Sequence, residues 1–175
     1  MEGTMVNLTE IESTQYLSFK LDTEVFAIEI SKVREVLEFV SLTKVPQTPP
    51  YMRGVINIRG SVVPVVDLKY KFGMDATEKT INTCIIIVEV KVNGASTVIG
   101  ALTDSVSEVF EMEPKNIEPA PQIGSQMNVA FIKGMGKRNN EFVIILDIDK
   151  VFSDTEAAEL SDIAQAENNF LGMEN

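Results

Sequence analysis

The feature that most constrains this chain is a block of sequence that occurs twice, 80 residues apart. The first copy, residues 52–72, reads MRGVINIRGSVVPVVDLKYKF. The copies align without a gap, and apolar residues match between four identical pairs: Gly54 and Gly134, Val63 and Val143, Asp67 and Asp147, Phe72 and Phe152. A second echo, at an offset of 73, relates the residues around Glu35 to those around Glu108. We infer that one structural unit is used twice.

The duplicated block predicts a β-hairpin in each copy. In the first copy, strands at 55–58 and 62–68 are joined by Arg59-Gly60-Ser61, where glycine can adopt the positive φ of a tight turn. In the second copy, the strands at 131–136 and 142–148 are joined by Arg138-Asn139-Asn140, since asparagine also tolerates the left-handed region. An arginine is thereby fixed at a rigid turn in the first copy.

Alternating apolar residues predict two further hairpins. One pairs residues 16–21 with 25–30, and the other pairs 83–90 with 97–102 across Asn93-Gly94. A short strand is expected at 42–45. Pro64 lacks a backbone donor, so its strand is predicted to lie at an edge or to carry a bulge there.

Helical spacing predicts three helices. Two are short and equivalent in the repeat, at 31–38 and 104–109, each behind a capping residue. A longer terminal helix begins after Phe152 at a capping box formed by Ser153 and Glu156. Its apolar face is expected to pack on the second β unit and contains these residues: Ala157, Leu160, Ile163 and Ala164.

Short strands, frequent Pro and Gly and few helices indicate an all-β barrel class, and two tandem five-stranded barrels fit best. Such small units are marginal alone, so a shared apolar interface is expected between them. The predicted division is a flexible arm at 1–14, one subdomain at about 15–79, a second at about 80–152, and a terminal helix and tail at 153–175.

Composition excludes several functions. The net charge of −11 would repel a phosphate backbone or an anionic membrane surface. The chain shows neither a membrane-length apolar run nor the pattern of a signal peptide, so we expect a cytoplasmic protein. It contains no His, which removes the usual catalytic triads and His metal sites, and we expect no cofactor or metal. The single Cys84 is interpreted as a small buried residue.

Two other functions remain as alternatives at this point. A small barrel enzyme would need at least two carboxylates of a particular set to converge in one pocket: Glu35, Asp67, Glu108 and Asp147. We expect Asp67 and Asp147 instead to finish their hairpins by bonding to the backbone. A nucleic-acid-binding barrel would need a positive groove despite the acidic composition.

Four segments make the chain resemble the bacterial chemotaxis coupling protein CheW over roughly 14–152. They are VREVLEF at 33–39, VPQTPPYMRGVINIRGSVVPVVDL at 45–68, IGALTDSVSEV at 99–109 and FVIILDIDKVF at 142–152. The resemblance implies two intertwined SH3-like β-barrel subdomains. It also implies a non-catalytic adaptor that links the cytoplasmic tips of methyl-accepting chemotaxis receptors to the regulatory domain of the histidine kinase CheA. The chain is too short to contain the receiver domain of the fused relative CheV.

The resemblance also implies where receptors bind. Receptor contact is expected in a cleft between the subdomains, with residues 101–106 lining it and these six residues at the contact: Val33, Glu35, Val36, Asn57, Arg59 and Gly60. The kinase contact is expected on apolar barrel ends and has no assigned residues. Nucleic-acid binding and insertion into a membrane are not expected.

Overall fold

The structure is a computed structural model that describes residues 13–119 and 130–174. It is built mainly from strands, with two α-helices. The elements are β1 (Thr14–Leu21), β2 (Glu24–Glu29), β3 (Val33–Glu38), β4 (Met52–Ile58), β5 (Ser61–Asp67), α1 (Leu68–Lys71), β6 (Cys84–Val92), β7 (Ala95–Thr103), β8 (Ser105–Met112), β9 (Ile117–Glu118), β10 (Ile132–Arg138), β11 (Glu141–Leu146) and α2 (Asp154–Glu174). Most of the predicted arm and Pro121 lie outside the described residues.

The strands form two curled sheets that exchange hairpins. Barrel one has the strand order β3-β6-β7-β5-β4, and barrel two has the order β8-β1-β2-β11-β10-β9. The hairpin β1–β2, at the start of the chain, therefore belongs to the barrel completed by the end of the chain. The sequence predicted one subdomain up to about residue 79 and a second after it, but each sheet contains strands from both sides of that boundary. Each of the four hairpins nevertheless forms where it was predicted.

The two offsets of the sequence repeat, 80 and 73 residues, relate equivalent positions in the two barrels. In barrel one, β5 runs parallel to β7 and Val65 is the register partner of Gly100. In barrel two, β11 runs parallel to β2 and Ile145 is the partner of Ala27. The offset of 80 relates Val65 to Ile145, and the offset of 73 relates Ala27 to Gly100. Each barrel therefore combines a central hairpin with a hairpin from the other half of the sequence.

The prediction of two short helices from the spacing of apolar residues is wrong. Residues 33–38 form β3, preceded only by a 3-10 turn at Ile30–Lys32, and residues 105–112 form β8. β3 pairs with β6 and β8 pairs with β1, so both segments satisfy their backbone groups across a sheet. A six-residue window fits both periodicities, and the pairing partner decides between them.

Two equivalent glycines allow close crossing of the chain. A Cβ on Gly54 would lie 2.6 Å from the carbonyl oxygen of Thr43, and one on Gly134 would lie 2.7 Å from that of Glu118. The predicted strand at 42–45 is reduced to a single bridge between Thr43 and Val55 at this crossing. The repeat therefore retains glycine at both positions because the backbones approach too closely for a side chain.

Pro64 keeps its place in the β4–β5 ladder as the register partner of Val55, and the ladder has a register shift close by, between Met52 and Gly54. β5 is not an edge strand, but it pairs with β7 only from Val65 onward. The N–H of Val62 points away from β4, toward helix α2, and strand alternation gives the nitrogen of Pro64 the same direction. Pro64 therefore lacks its N–H on the side where β5 has no strand neighbour. The prediction of an edge position rested on this same need to avoid a lost ladder hydrogen bond.

Each barrel has its own apolar core, and a third core joins them. The joining cluster contains buried residues of both sheets, including Phe19 and Phe26 from barrel two and Val66 and Ile86 from barrel one. The shared interface expected from the small size of the units is confirmed. Cys84 differs from expectation, since it is half-buried.

Helix α2 packs mainly on β5 of barrel one, which belongs to the first β unit, whereas the second unit was predicted. Its capping box forms as predicted, with Ser153 N–H donating to Glu156 at 2.9 Å and Glu156 N–H donating to Ser153 Oγ at 3.1 Å. Ala157 and Leu160 are buried in the joining core. The helix then runs beside the part of β5 that has no strand neighbour, and this open side explains its position.

Tyr51 provides a test of this packing. Its hydroxyl is buried without a hydrogen-bond partner among the described residues, and burial, with the charges of Glu156 and Glu159, raises its pKa to about 12. We expect Tyr51→Phe to leave stability unchanged or to raise it by up to about 1 kcal/mol in urea unfolding, because an unpaired hydroxyl no longer has to be desolvated. A loss above that amount would contradict the assignment.

The raised pKa of Tyr51 adds a second readout. The folded state holds the phenol proton more tightly than the unfolded chain does, so this contribution to stability is present below about pH 10 and is lost as pH rises toward about 12. The phenylalanine variant lacks this loss. Its advantage over the wild type should therefore grow across that pH window.

Candidate functional site

The site begins at the tip of the hairpin formed by β4 and β5. Arg59 and Gly60 form a two-residue turn with φ values of 49° and 88°, both in the left-handed region. The side chain of Asn57 closes the turn by accepting the N–H of Gly60 at 2.9 Å. The equivalent turn of barrel two uses Asn139 and Asn140, which adopt this conformation more readily than Arg. An arginine held there points to a role beyond making the turn.

Arg59 pairs with Glu35, which projects from β3. The guanidinium donates to both carboxylate oxygens, and this hydrogen bond, followed by the negative charge, raises the pKa of Arg59. The side chain of Arg59 is 75% exposed, whereas that of Glu35 is 26% exposed. Glu35 is thus the anchored member of the pair, and Arg59 is the member that a partner can reach.

The structure brings together four of the six residues predicted at the receptor contact: Glu35, Asn57, Arg59 and Gly60. Val33 is half-buried and packs against the joining core. Val36 is 41% exposed, but successive side chains of a strand alternate, so it lies on the other face of β3 from Glu35. These two valines therefore do not join the cluster at the turn.

A groove of about 470 Å³ opens beside this turn. Its floor comes from barrel one, where apolar side chains such as Ile58 and Val98 alternate with polar ones. Arg34, Glu35 and Arg59 add charge. Its other wall is helix α2, which contributes Ser161, Ala164, Gln165 and Asn168. The groove therefore lies between barrel one and α2, whereas the cleft was expected between the two subdomains.

The segment at 101–106 does not fit the expected lining role throughout. Ala101, Leu102 and Thr103 are the last three residues of β7 and are all buried. Only the residues that follow them are partly exposed. A partner can therefore reach the end of this segment but not its first half.

Barrel two carries a second arginine–glutamate pair that sequence reasoning missed. Arg138 donates to Glu108 at 3.1 and 3.2 Å and lies over the ring of Phe110, 4.6 Å from its centroid. The offset of 73 relates Glu108 to Glu35, but the offset of 80 relates Arg59 to Asn139, one residue after Arg138. The arginine has moved by one position, from the turn to the end of β10, where its side chain is only 30% exposed.

The four carboxylates of the enzyme alternative do not share a site. Asp67 is fully buried and bonds to Arg53 and Thr77, while Asp147 accepts the N–H of Asp149. Glu35 and Glu108 bond to arginines on different barrels. The prediction that Asp67 and Asp147 bind backbone is confirmed, since Asp67 also accepts the N–H groups of Tyr70 and Thr77.

Metal binding and membrane spanning can be checked in the part of the chain that the structure describes. Within it, no three acidic, Cys or His side chains come together in a way that would hold a metal ion. None of its helices has the length and apolar character needed to cross a membrane.

Comparison with known proteins decides the family. A family model described as the CheW-like domain matches residues 15–156. The chain belongs to the CheW-like family. It is 31% identical over 157 residues to chemotaxis protein CheW of Klebsiella aerogenes, covering 90% of this chain and 92% of that protein. CheW of Rhizobium meliloti is 33% identical over 142 residues, covering 81% and 89%.

A solved CheW structure agrees with this assignment. The crystal structure of scaffolding protein TtCheW from Thermoanaerobacter tengcongensis matches with a TM-score of 0.71 and 34% identity, covering 82% of this chain and 90% of that one. The resemblance to CheW and the all-β class predicted from sequence are confirmed. The chain thus belongs to a family whose members are named as chemotaxis and scaffolding proteins, not as enzymes.

Proposed function

We propose that this protein is a non-catalytic adaptor that couples chemoreceptor tips to the regulatory domain of the kinase CheA. The observation that carries the proposal is the Arg59–Glu35 pair, held by a left-handed turn beside a groove in a CheW-like domain. A rigid turn presents a planar guanidinium with little conformational entropy left to lose on binding. The pair therefore suits recognition of a carboxylate or carbonyl group on a receptor helix.

The groove supports the same partner. Apolar side chains such as Ile58, Val62 and Val98 line it, while charge is concentrated near Arg59. Such a surface matches an amphipathic helix, which lays an apolar stripe into a groove and places polar groups at its rim. The receptor partner is thus the cytoplasmic tip of a methyl-accepting chemotaxis receptor, which by family resemblance is a helical hairpin.

The kinase contact is assigned to apolar surfaces away from this turn. Val40 is 48% exposed and Ile81 is 98% exposed, and both lie near one end of barrel one, where Phe39 N–H donates to Thr83. On barrel two, Val109 and Phe142 are also exposed. Small apolar contacts of this kind are individually weak, and they gain strength when many adaptors and kinases assemble together.

The kinase part of the proposal predicts a measurable affinity. We expect the isolated regulatory domain of CheA to bind the full chain with a Kd in the micromolar range in isothermal titration, because each contact is apolar and small. Arg59→Ala should bind the kinase domain equally well, which serves as the control. No binding at high micromolar concentration would count against a kinase contact.

The whole proposal is tested by reconstitution. Membranes containing a chemoreceptor should sediment CheA only when this chain is present, and membranes lacking the receptor should not. Added salt should weaken the receptor contact modestly, because the pair at Arg59 is exposed and screened. Sedimentation of CheA without the chain, or failure with it, would exclude the adaptor function.

A further inference from the structure

Helix α2 is attached directly to the hairpin that carries Arg59. The N–H of Val62 donates to Asn168 Oδ1 at 2.9 Å, across 106 residues of sequence. Val62 lies in the part of β5 that has no strand neighbour on this side, because pairing with β7 starts at Val65. Asn168 therefore supplies the acceptor that a neighbouring strand would otherwise provide.

This hydrogen bond lies beside the functional turn. Val62 is the register partner of Asn57, whose own side chain holds the N–H of Gly60. Two asparagine side chains thus fix one hairpin: Asn57 closes its tip, and Asn168 holds its outer edge. Arg59 lies between these points, so release of the edge would increase the range of positions that its guanidinium samples.

The helix forms a wall of the groove without filling it. Asn168 and three other residues of α2 line the same groove as Glu35 and Arg59, yet the groove retains about 470 Å³ and the Arg59 side chain remains 75% exposed. The family model ends at residue 156, whereas the helix continues to Glu174. All four groove-lining residues of α2 therefore lie beyond the matched domain.

We infer that Asn168 is a positioning residue for receptor binding, and that the carboxyl-terminal half of α2 forms the second wall of the receptor groove. This inference rests on the proposed receptor function of Arg59. Asn168 acts through Val62, since its contact is with the backbone of β5. The wall increases affinity because it fixes the hairpin before the receptor helix arrives, which lowers the entropy lost on binding.

Three variants of Asn168 in the full chain separate the acceptor from the bulk of the side chain. Asn168→Ala removes both, Asn168→Leu keeps bulk without an acceptor, and Asn168→Asp keeps the acceptor. Asn169→Ala is the matched control, because Asn169 is exposed and bonds only to Gln165 on its own helix among the described residues. The ligand is a purified cytoplasmic fragment of a chemoreceptor.

The expected result is a pattern over two measurements. Asn168→Ala and Asn168→Leu should weaken receptor binding roughly three- to tenfold, the range of one lost hydrogen bond, and should speed hydrogen exchange at the Val62 amide. Asn168→Asp and Asn169→Ala should match the wild type in both. Affinity for the kinase domain should stay constant throughout.

Other outcomes overturn the inference. Wild-type receptor affinity in Asn168→Ala and Asn168→Leu would exclude the positioning role, and tighter binding would mean that α2 obstructs the groove. Slow exchange at Val62 in those variants would exclude the hydrogen bond. Arg59→Glu is measured beside them: if it also binds receptor normally, the proposed function fails, and if it alone loses binding, only the role of Asn168 fails.

Discussion

Arg59→Glu is expected to abolish receptor coupling while leaving the fold and the kinase contact intact. The substitution reverses the charge at the exposed member of the pair and places a carboxylate beside Glu35. A receptor group that accepts from the guanidinium would then meet a negative charge, which opposes binding more strongly than a simple loss of contact. Arg59→Ala should act in the same direction with a smaller effect, roughly tenfold or more in affinity.

The measurements are receptor-dependent sedimentation of CheA, receptor affinity and thermal melting. Since Arg59 is largely exposed and its turn is closed by Asn57, the melting temperature should change little. Residue 59 has a positive φ of 49°. Arginine already has a Cβ, so replacing it with Ala or Glu adds no backbone strain at this φ. An unfolded Arg59→Glu protein, or one that couples normally, would return this turn to a purely structural role.

The internal repeat supplies the controls for this experiment. Asn139 holds the turn position equivalent to Arg59, and Arg138 forms the corresponding ion pair with Glu108. We expect Asn139→Ala to leave receptor and kinase binding unchanged, with only a small loss of thermal stability because alanine tolerates the φ of 54° less well than asparagine. Arg138→Ala removes a paired guanidinium of the same kind and should leave receptor binding unchanged. If Arg138→Ala weakens receptor binding as much as Arg59→Ala, the effect reflects total charge and not the local site.

The hairpins were predictable because their signals are local. Asn93-Gly94 adopts the φ values of 54° and 76° that its sequence indicates, and the other turns also lie between their expected strands. The strand β3 was not predictable in this way, because its identity depends on pairing with β6, some fifty residues further along the chain. Long-range pairing overrides a short helical pattern.

The exchange of hairpins illustrates the same limit on a larger scale. The repeat shows that two units are similar, but similar units can complete their own sheet or each other's with the same contacts. The lengths of the segments between strands determine which of these arrangements forms. A single residue, Asp104, separates β7 from β8. The chain therefore leaves barrel one and enters barrel two directly at this point.

The candidate site was predicted in part for related reasons. Asn57, Arg59 and Gly60 belong to one hairpin and could be placed together from its turn, and the family resemblance added Glu35. Asn168 could not be placed, because an asparagine in a helix carries no local signal for a distant backbone donor. The second arginine pair was also missed, since its arginine shifts by one position relative to the repeat.

Asp67 provides the largest expected effect on stability, and its repeat partner provides the control. Its side chain is fully buried and accepts from Thr77 N–H at 2.8 Å, Thr77 Oγ1 at 2.7 Å and Arg53 at 2.9 Å. These bonds hold the connector after α1 against the end of β5. Replacement by Ala leaves a buried N–H and hydroxyl without their acceptor and a guanidinium without its counter-charge.

We therefore expect Asp67→Ala to lower the free energy of unfolding by about 3–5 kcal/mol in urea titration, the cost of breaking a buried charged network by removing one member. Asp147→Ala should cost only about 1 kcal/mol, because its side chain is 28% exposed and its backbone bond is a single cap to Asp149 at 3.2 Å. Receptor affinity of Asp67→Ala, measured where it remains folded, should equal that of the wild type. Equal losses of stability at the two positions would mean that the hairpin end, and not the buried network of barrel one, determines the cost.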